Sequence, residues 1–366
     1  MSEARKQILK MLAEGRINVE ESEELLAALE TDQETNRQRG RSGFGVEFGN
    51  IADTIQKTMR EAMRRAESPS REVKSRLKEM GEWVQNFTNT MANEFVHASG
   101  EPSDGVQVDF KISGPNGWES CKVCDIGNLY GNVIIEEGEE FALHVTGSIG
   151  RSAMEGDPPN QWFSEHALVV EGDTILIGIN RSSPAKYVLD LHLTLPPRFH
   201  LKARSVSSSL KVTGAFVVTS LQTVSGDVRL KGAYLQECSV DTVSGDVKIE
   251  GGEVELTTNT TSGDVCIKEA KVTKLNATAV SGDVLLTGLD VLQDSVIHVS
   301  STSGDIEIEK ISGPWEKIEA NTRTGDVTIK WKGSLTPTGS HGVVVVSEEQ
   351  GACFRAETVS GDINFN

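Results

Sequence analysis

One tripeptide governs what this chain can fold into. Ser-Gly-Asp recurs with its glycine at Gly226, Gly245, Gly263, Gly282 and Gly304, becomes Thr-Gly-Asp at Gly325, and returns at Gly361. The steps between these glycines are 19, 18, 19, 22, 21 and 36 residues. Near-identical turns at a period near twenty residues mark a solenoid, in which each repeat adds one coil to a stack. Two residues after each glycine stand Val228, Val247, Val265, Val284, Ile306, Val327 and Ile363. Four residues after it stand Leu230, Ile249, Ile267, Leu286, Ile308, Ile329 and Phe365. The residues between, from Arg229 and Lys248 to Thr328 and Asn364, are mostly polar, the period-two signature of a strand with one buried face. Every coil thus adds two apolar side chains to interior columns, at roughly 1.5–3 kcal/mol for each one fully buried. Three residues before the glycine the column is Thr223, Thr242, Thr260, Ala279, Ser301, Thr322 and Thr358, small enough for a narrow corner. A degenerate copy over 206–210, with Ser208 in the glycine position, precedes the first full one.

Turn chemistry accounts for the triplet. Glycine takes φ > 0 without steric cost, and Ser and Asp bond backbone amides that a turn leaves unpaired. Coils stacked about 4.8 Å apart would line up the carboxylates of Asp227, Asp246, Asp264, Asp283, Asp305, Asp326 and Asp362. Neighbours at that distance repel by roughly 1 kcal/mol in water and several at an effective dielectric of 20. Backbone amides and Ser hydroxyls are the expected compensation, and calcium bridging these seven aspartates is the alternative. The Gly-Gly-x-Gly-x-Asp nonapeptide of calcium-binding β-rolls is absent. The step of 36 residues contains an interrupted loop over 331–342, read as a coil whose turn has lost the motif. On that reading the last coil ends the stack and exposes an edge that a cap, the helices at 50–98 or a second chain must cover.

The region before the repeats has a different texture. Residues 1–30 place Ile8, Leu9, Leu12 and then Val19, Leu25, Leu26, Leu29 at helical spacing, with Gly15 ending the first helix and Asn18 and Glu21 opening the second. Such a hairpin is too small to bury much surface alone, so it must dock on something. Residues 31–49 are polar and Gly-rich, a flexible linker. Residues 50–98 carry a narrow apolar stripe, Ile51, Ile55, Met59, Met63 and then Val73, Leu77, Met80, Val84, Phe87, Met91, as in paired helices or a stripe packed on the chain's own β domain. Residues 105–200 read as β-strands leading into the solenoid, which spans 201–366. The fold expected is therefore mainly β: a right-handed parallel β-solenoid preceded by an N-terminal α-helical region.

Charge narrows the function. Residues 1–100 hold 15 Lys and Arg against 17 Asp and Glu, and residues 101–366 hold 21 against 37, so the net −18 divides as −2 and −16. An acidic surface of this kind repels nucleic acid and anionic lipid. The charged N-terminus and the absence of any run of about 18 apolar residues predict neither a secretory signal nor a transmembrane segment, which makes the cytoplasm the expected address, with peripheral attachment at the cell envelope as the variant. Cys121 and Cys124 form a CxxC without the second pair a zinc site needs, and positions three apart on a strand face opposite sides; Cys238, Cys266 and Cys353 are isolated. No GxSxG, phosphate-binding loop, HExxH or dinucleotide fingerprint occurs in a fitting context. No catalytic residue and no cofactor is expected. The enzymatic alternative is a carbohydrate-active β-helix, whose coils are longer and lined with aromatic residues; here aromatics are 5% of the chain.

Two stretches carry a family likeness: residues 5–26, RKQILKMLAEGRINVEESEELL, and the passage from Leu193-Thr194-Leu195-Pro196-Pro197 into Thr223-Val224-Ser225-Gly226-Asp227-Val228 and its copies. With them the chain resembles the bacterial adhesin-like β-strand-repeat family, an SGD-repeat β-solenoid of unknown function, preceded by a short helical oligomerisation-like (SHOCT-like) domain. The resemblance implies a solenoid, no established catalysis, and in some relatives a link to cell-envelope stress. The function expected is a non-enzymatic interaction or scaffold protein, a homo-oligomer or partner-binding protein through its N-terminal helices. A calcium-stiffened surface adhesin is the alternative.

Overall fold

Each triplet turn joins a long strand to a short one, because the apolar positions before and after the glycine belong to two different walls of one core. The computed structural model describes residues 104–154, 156–178, 187–331, 334–335, 340–345 and 351–366; the hairpin at 1–30, the linker at 31–49 and the helices at 50–98 lie outside them. Long strands Val217–Ser225, Tyr234–Ser244, Glu253–Ser262, Lys271–Ser281 and Asp290–Ser303 pair in parallel, each with the next. Short strands Val228–Lys231, Val247–Glu250, Val265–Lys268, Val284–Thr287 and Ile306–Glu309 do the same in a second sheet. The described strands form a short-strand sheet of 13 and a long-strand sheet of 12. Val228, Leu230 and their equivalents down to Ile363 and Phe365 are buried to 3% exposure or less, so the two expected columns are the core.

The stack does not follow chain order at its far end. Ala352–Ser360 inserts between Asp290–Ser303 and Trp315–Thr324, and Ile363–Phe365 inserts between Ile306–Glu309 and Val327–Trp331. The expectation that the last coil ends the stack is corrected: the coil around Gly361 is internal, and the coil around Gly325 is outermost. Antiparallel strands His341–Val345 and Ser334–Leu335 then pair along the two walls of that outermost coil. The interrupted loop is thus partly a cap. Packing favours the insertion, because Phe354 and Phe365 of the inserted coil each meet Trp315 of the outer one edge to face with ring centroids 6.1 Å apart, and meet each other at 5.3 Å.

At the near end the parallel stack opens with Thr174–Ile177 and Tyr187–Leu195, beside Val123–Tyr130 and Val133–Glu137, whose register continues into His200–Ser207 and Leu210–Thr213. The intervening chain closes this end. Gly105–Ser113 and Ala142–Gly150 pair antiparallel and lie beside Tyr187–Leu195, while Leu168–Glu171 and Thr174–Ile177 finish the other sheet. A helix, Pro159–His166, buries Trp162 and Phe163, the latter edge-on to Phe110 at 5.8 Å.

Candidate functional site

The turn edge, where the sequence concentrates its repeated chemistry, is used up by the stack. Each aspartate Oδ1 accepts the backbone N–H of the aspartate on the next coil: Asp227 from Asp246 at 3.1 Å, Asp246 from Asp264 at 3.1 Å, Asp264 from Asp283 at 2.9 Å and Asp283 from Asp305 at 2.8 Å. The ladder then follows spatial order, with Asp305 accepting from Asp362 and Asp362 from Asp326, both at 2.8 Å. The second oxygen is met by a cation two residues on in the first two coils only, Arg229 on Asp227 at 2.6 Å and Lys248 on Asp246 at 2.9 Å. Burial pushes the Asp246 carboxyl up, but Lys248 and the Asp264 amide outweigh it and hold that group below its ordinary value. Among the described residues no three His, Cys, Asp or Glu side chains converge as a metal site.

Two expectations about this edge change. The glycines Gly226, Gly245, Gly263 and Gly304 do not adopt the left-handed region; a β-carbon on any of them, or on Gly282, Gly325 or Gly361, would overlap the backbone carbonyl of the coil below. Close approach of backbones, more than φ, excludes a side chain. The Ser hydroxyls of the triplets make no hydrogen bond among the described residues, and the corner hydroxyls act instead: Thr223 donates to the Ser208 carbonyl at 3.3 Å, Ser301 to Gly282 at 3.1 Å, Thr358 to Gly304 at 3.2 Å and Thr322 to Gly361 at 2.8 Å. The ladder also begins earlier than the triplets do. Asn132 donates its backbone N–H to Asp190 Oδ1 at 2.6 Å, and Val133 pairs with both Leu191 and Leu210, so Gly131-Asn132-Val133 and Leu189-Asp190-Leu191 are degenerate turn copies. The Gly-Asn-Val tripeptide was the available signal for the first.

The CxxC is not split across a strand. Cys121 precedes Val123–Tyr130, and both Cys121 and Cys124 are buried free thiols whose pKa is raised, chiefly by burial. Burial likewise pushes the Cys238 thiol up to about 12. Buried, protonated thiols are poor nucleophiles.

The outward face of the long-strand sheet is the remaining organised surface. Register places Ser220, Ser239, Thr257, Asn276 and His298 in one outward column. The next column holds Gln222, Asp241, Asn259, Thr278 and Ser300. Ion pairs bound the field, Arg204 with Asp125 at 3.0 Å on one side and Arg355 with Glu357 and Lys317 with Glu319 on the other. Asp241 is only 3% exposed; it accepts from Ser239 at 2.6 Å and Asn259 at 2.8 Å, yet burial dominates and raises its pKa. This buried carboxylate and the columns around it are the site that reading forward from the triplets missed.

Residues 173–366 match the Toastrack DUF4097 family, more than half of the chain. The chain belongs to that family. Residues 3–34 match a SHOCT-like domain, so the Toastrack repeats follow an N-terminal SHOCT-like segment. No curated protein matches the sequence. Similar solved structures include a putative adhesin from Bacteroides fragilis NCTC 9343, 10% identical over 72% of this chain and 99% of that one, with a TM-score of 0.40. A putative cell adhesion protein from Clostridium sporogenes ATCC 15579 is 10% identical over 71% of this chain and 99% of its own, with a TM-score of 0.23. A putative adhesin from Parabacteroides merdae ATCC 43184 is 8% identical over 58% and 97%, at 0.22. At this depth of similarity these neighbours identify no ligand for the Toastrack chain. Among the described residues no helix is long and apolar enough to cross a membrane.

Proposed function

We propose that this Toastrack protein is a non-enzymatic interaction or scaffold protein of the bacterial cell-envelope stress response. Its SHOCT-like segment and the helices expected from the sequence at 50–98 join copies of the chain or hold a protein partner, and the acidic solenoid presents a rigid binding surface. The carrying observation is the aspartate ladder: the most repeated polar groups are spent on backbone amides of neighbouring coils, which is how architecture uses carboxylates. A general acid or base has to reach a substrate proton, and an Oδ1 already bonded within the stack is poorly placed to do so. The charge of the β region favours protein partners with basic surfaces over nucleic acid.

The test is the solution mass of the full chain and of a chain lacking residues 1–98, with capture of partners from cells of the source organism. A mass above the monomer that falls on truncation, or a partner lost on truncation, supports the reading. Monomers in both cases with no partner captured overturn it.

A further inference from the structure

The outward field of the long-strand sheet deepens the binding-surface reading and rests on it. Ser220, Thr257, Asn276, Thr278 and Ser300 are half-buried in two adjacent columns and find no side-chain hydrogen-bond partner among the described residues. Within residues 101–366, which carry 21 basic and 37 acidic side chains, the ten positions of this field contain one carboxyl, that of Asp241, and it is buried beneath Ser239 and Asn259. The result is a hydrogen-bonding strip five coils long whose one carboxyl, that of Asp241, is buried.

We propose that this strip binds an extended, uncharged β-linked glycan lying along the stack axis. The repeat distance argues for it. Equivalent side chains recur at the coil spacing of about 4.8 Å; successive rings of an extended β-1,4-linked chain turn over, so its same-face groups recur every second ring, close to every second coil. An extended peptide presents its same-side groups every two residues, about 6.6–6.8 Å apart, and falls out of step with the coils. Charge argues the same way, since a polyanion is repelled by the net −16 of residues 101–366 and the strip offers a polycation no exposed carboxylate. The strip contains no aromatic platform, so each ring gains only neutral hydrogen bonds, individually modest. Recognition therefore requires several rings at once, which selects a polymer over a free sugar.

The experiment titrates the full chain by calorimetry with the hexamers of β-1,4-linked glucose and of β-1,4-linked N-acetylglucosamine, and with the corresponding dimers. At least one hexamer is expected to bind, its dimer at least about tenfold more weakly. The double variant T257V/N276L is expected to weaken the hexamer at least about tenfold with an unchanged melting temperature, and Lys248→Ala, on the other sheet, to leave it unaltered. Should the double variant fold poorly, Asn276→Asp adds a charge at constant size and is expected to weaken binding similarly. No response to either hexamer up to about 10 mM, or a response that neither variant reduces, overturns the proposal. Retained self-association or partner capture in that case leaves the scaffold reading intact, so the two fail separately.

Discussion

Replacing Gly245 by alanine tests why the triplet needs its glycine. The backbone there is outside the left-handed region, so alanine meets no φ penalty. Its β-carbon would instead overlap the carbonyl oxygen and carbon of Gly226 in the coil below, both backbone atoms with no rotamer to escape into. Relief requires the two coils to part across the gap that the Gly226 and Val228 amides bridge to Ser244 and Asp246 at 3.2 and 2.8 Å, while the Gly245 and Val247 amides hold the other side through Ser262 and Asp264 at 3.1 and 2.8 Å. Overpacking in a rigid interior costs typically 1–3 kcal/mol, and with backbone on both sides Gly245→Ala is expected to cost about 3 kcal/mol or more. Gly232→Ala is the control: Gly232 has φ +74° with its nearest prospective contact at 3.9 Å, so only conformational strain of about 1–2 kcal/mol applies. Urea unfolding followed by circular dichroism gives both values, with equal slopes required for a fair comparison. A Gly245→Ala cost at or below that of Gly232→Ala would show that the coils have slack, and the close-approach explanation of the repeat would be wrong.

Asp283→Ala removes the acceptor for the Asp305 amide at 2.8 Å and is expected to destabilise by about 1–3 kcal/mol, while Asp283→Asn, which keeps an acceptor, should cost clearly less; thermal melts decide. Asp241 and Asp246 are expected to show opposite pH signatures. The folded pKa of Asp241 is raised, so its contribution is full below the unfolded pKa and is lost as pH rises through the folded one; Asp241→Asn should therefore be the more stable protein at neutral pH, the gap closing in acid. The folded pKa of Asp246 is lowered, so its stabilisation is present above the unfolded pKa and is lost as pH falls through the folded one; Asp246→Asn should be less stable at neutral pH and converge with the parent in acid. Phe365→Ala, which empties the centre of the Trp315–Phe354–Phe365 cluster, is expected to cost about 3–5 kcal/mol, and hydrogen exchange should show the loss concentrated in the coils around Gly325 and Gly361.

Residues near each glycine were legible because their roles are set locally. Val228 and Leu230 alternate with Arg229, and that alone assigns them to the core. Coil order was not legible, because every coil offers its neighbours the same edge: the Gly361 turn pairs with the Gly304 turn through the bonds that any other triplet would make. Only side chains that differ between coils can order them, and the large aromatics Trp315, Phe354 and Phe365 stand out against the mainly aliphatic core. The polar field illustrates the complementary point. Counting back four and six residues from each glycine, Gln222 and Ser220 from Gly226 through Ser300 and His298 from Gly304, recovers both outward columns in spite of steps of 19, 18, 19 and 22 residues. That is possible because the irregularities lie upstream, at register shifts between Val218 and Ser220, Leu235 and Cys238, and Val272 and Lys274, the last opposite the extra residues before Val296. Such bulges absorb insertions without disturbing the pairing beyond them. Length variation is thus confined to one end of each long strand, and the six residues before the glycine and the four after it stay in file. The same constraint that keeps the aspartates within reach of the next coil's amides also keeps the outward hydroxyls and amides on a regular lattice.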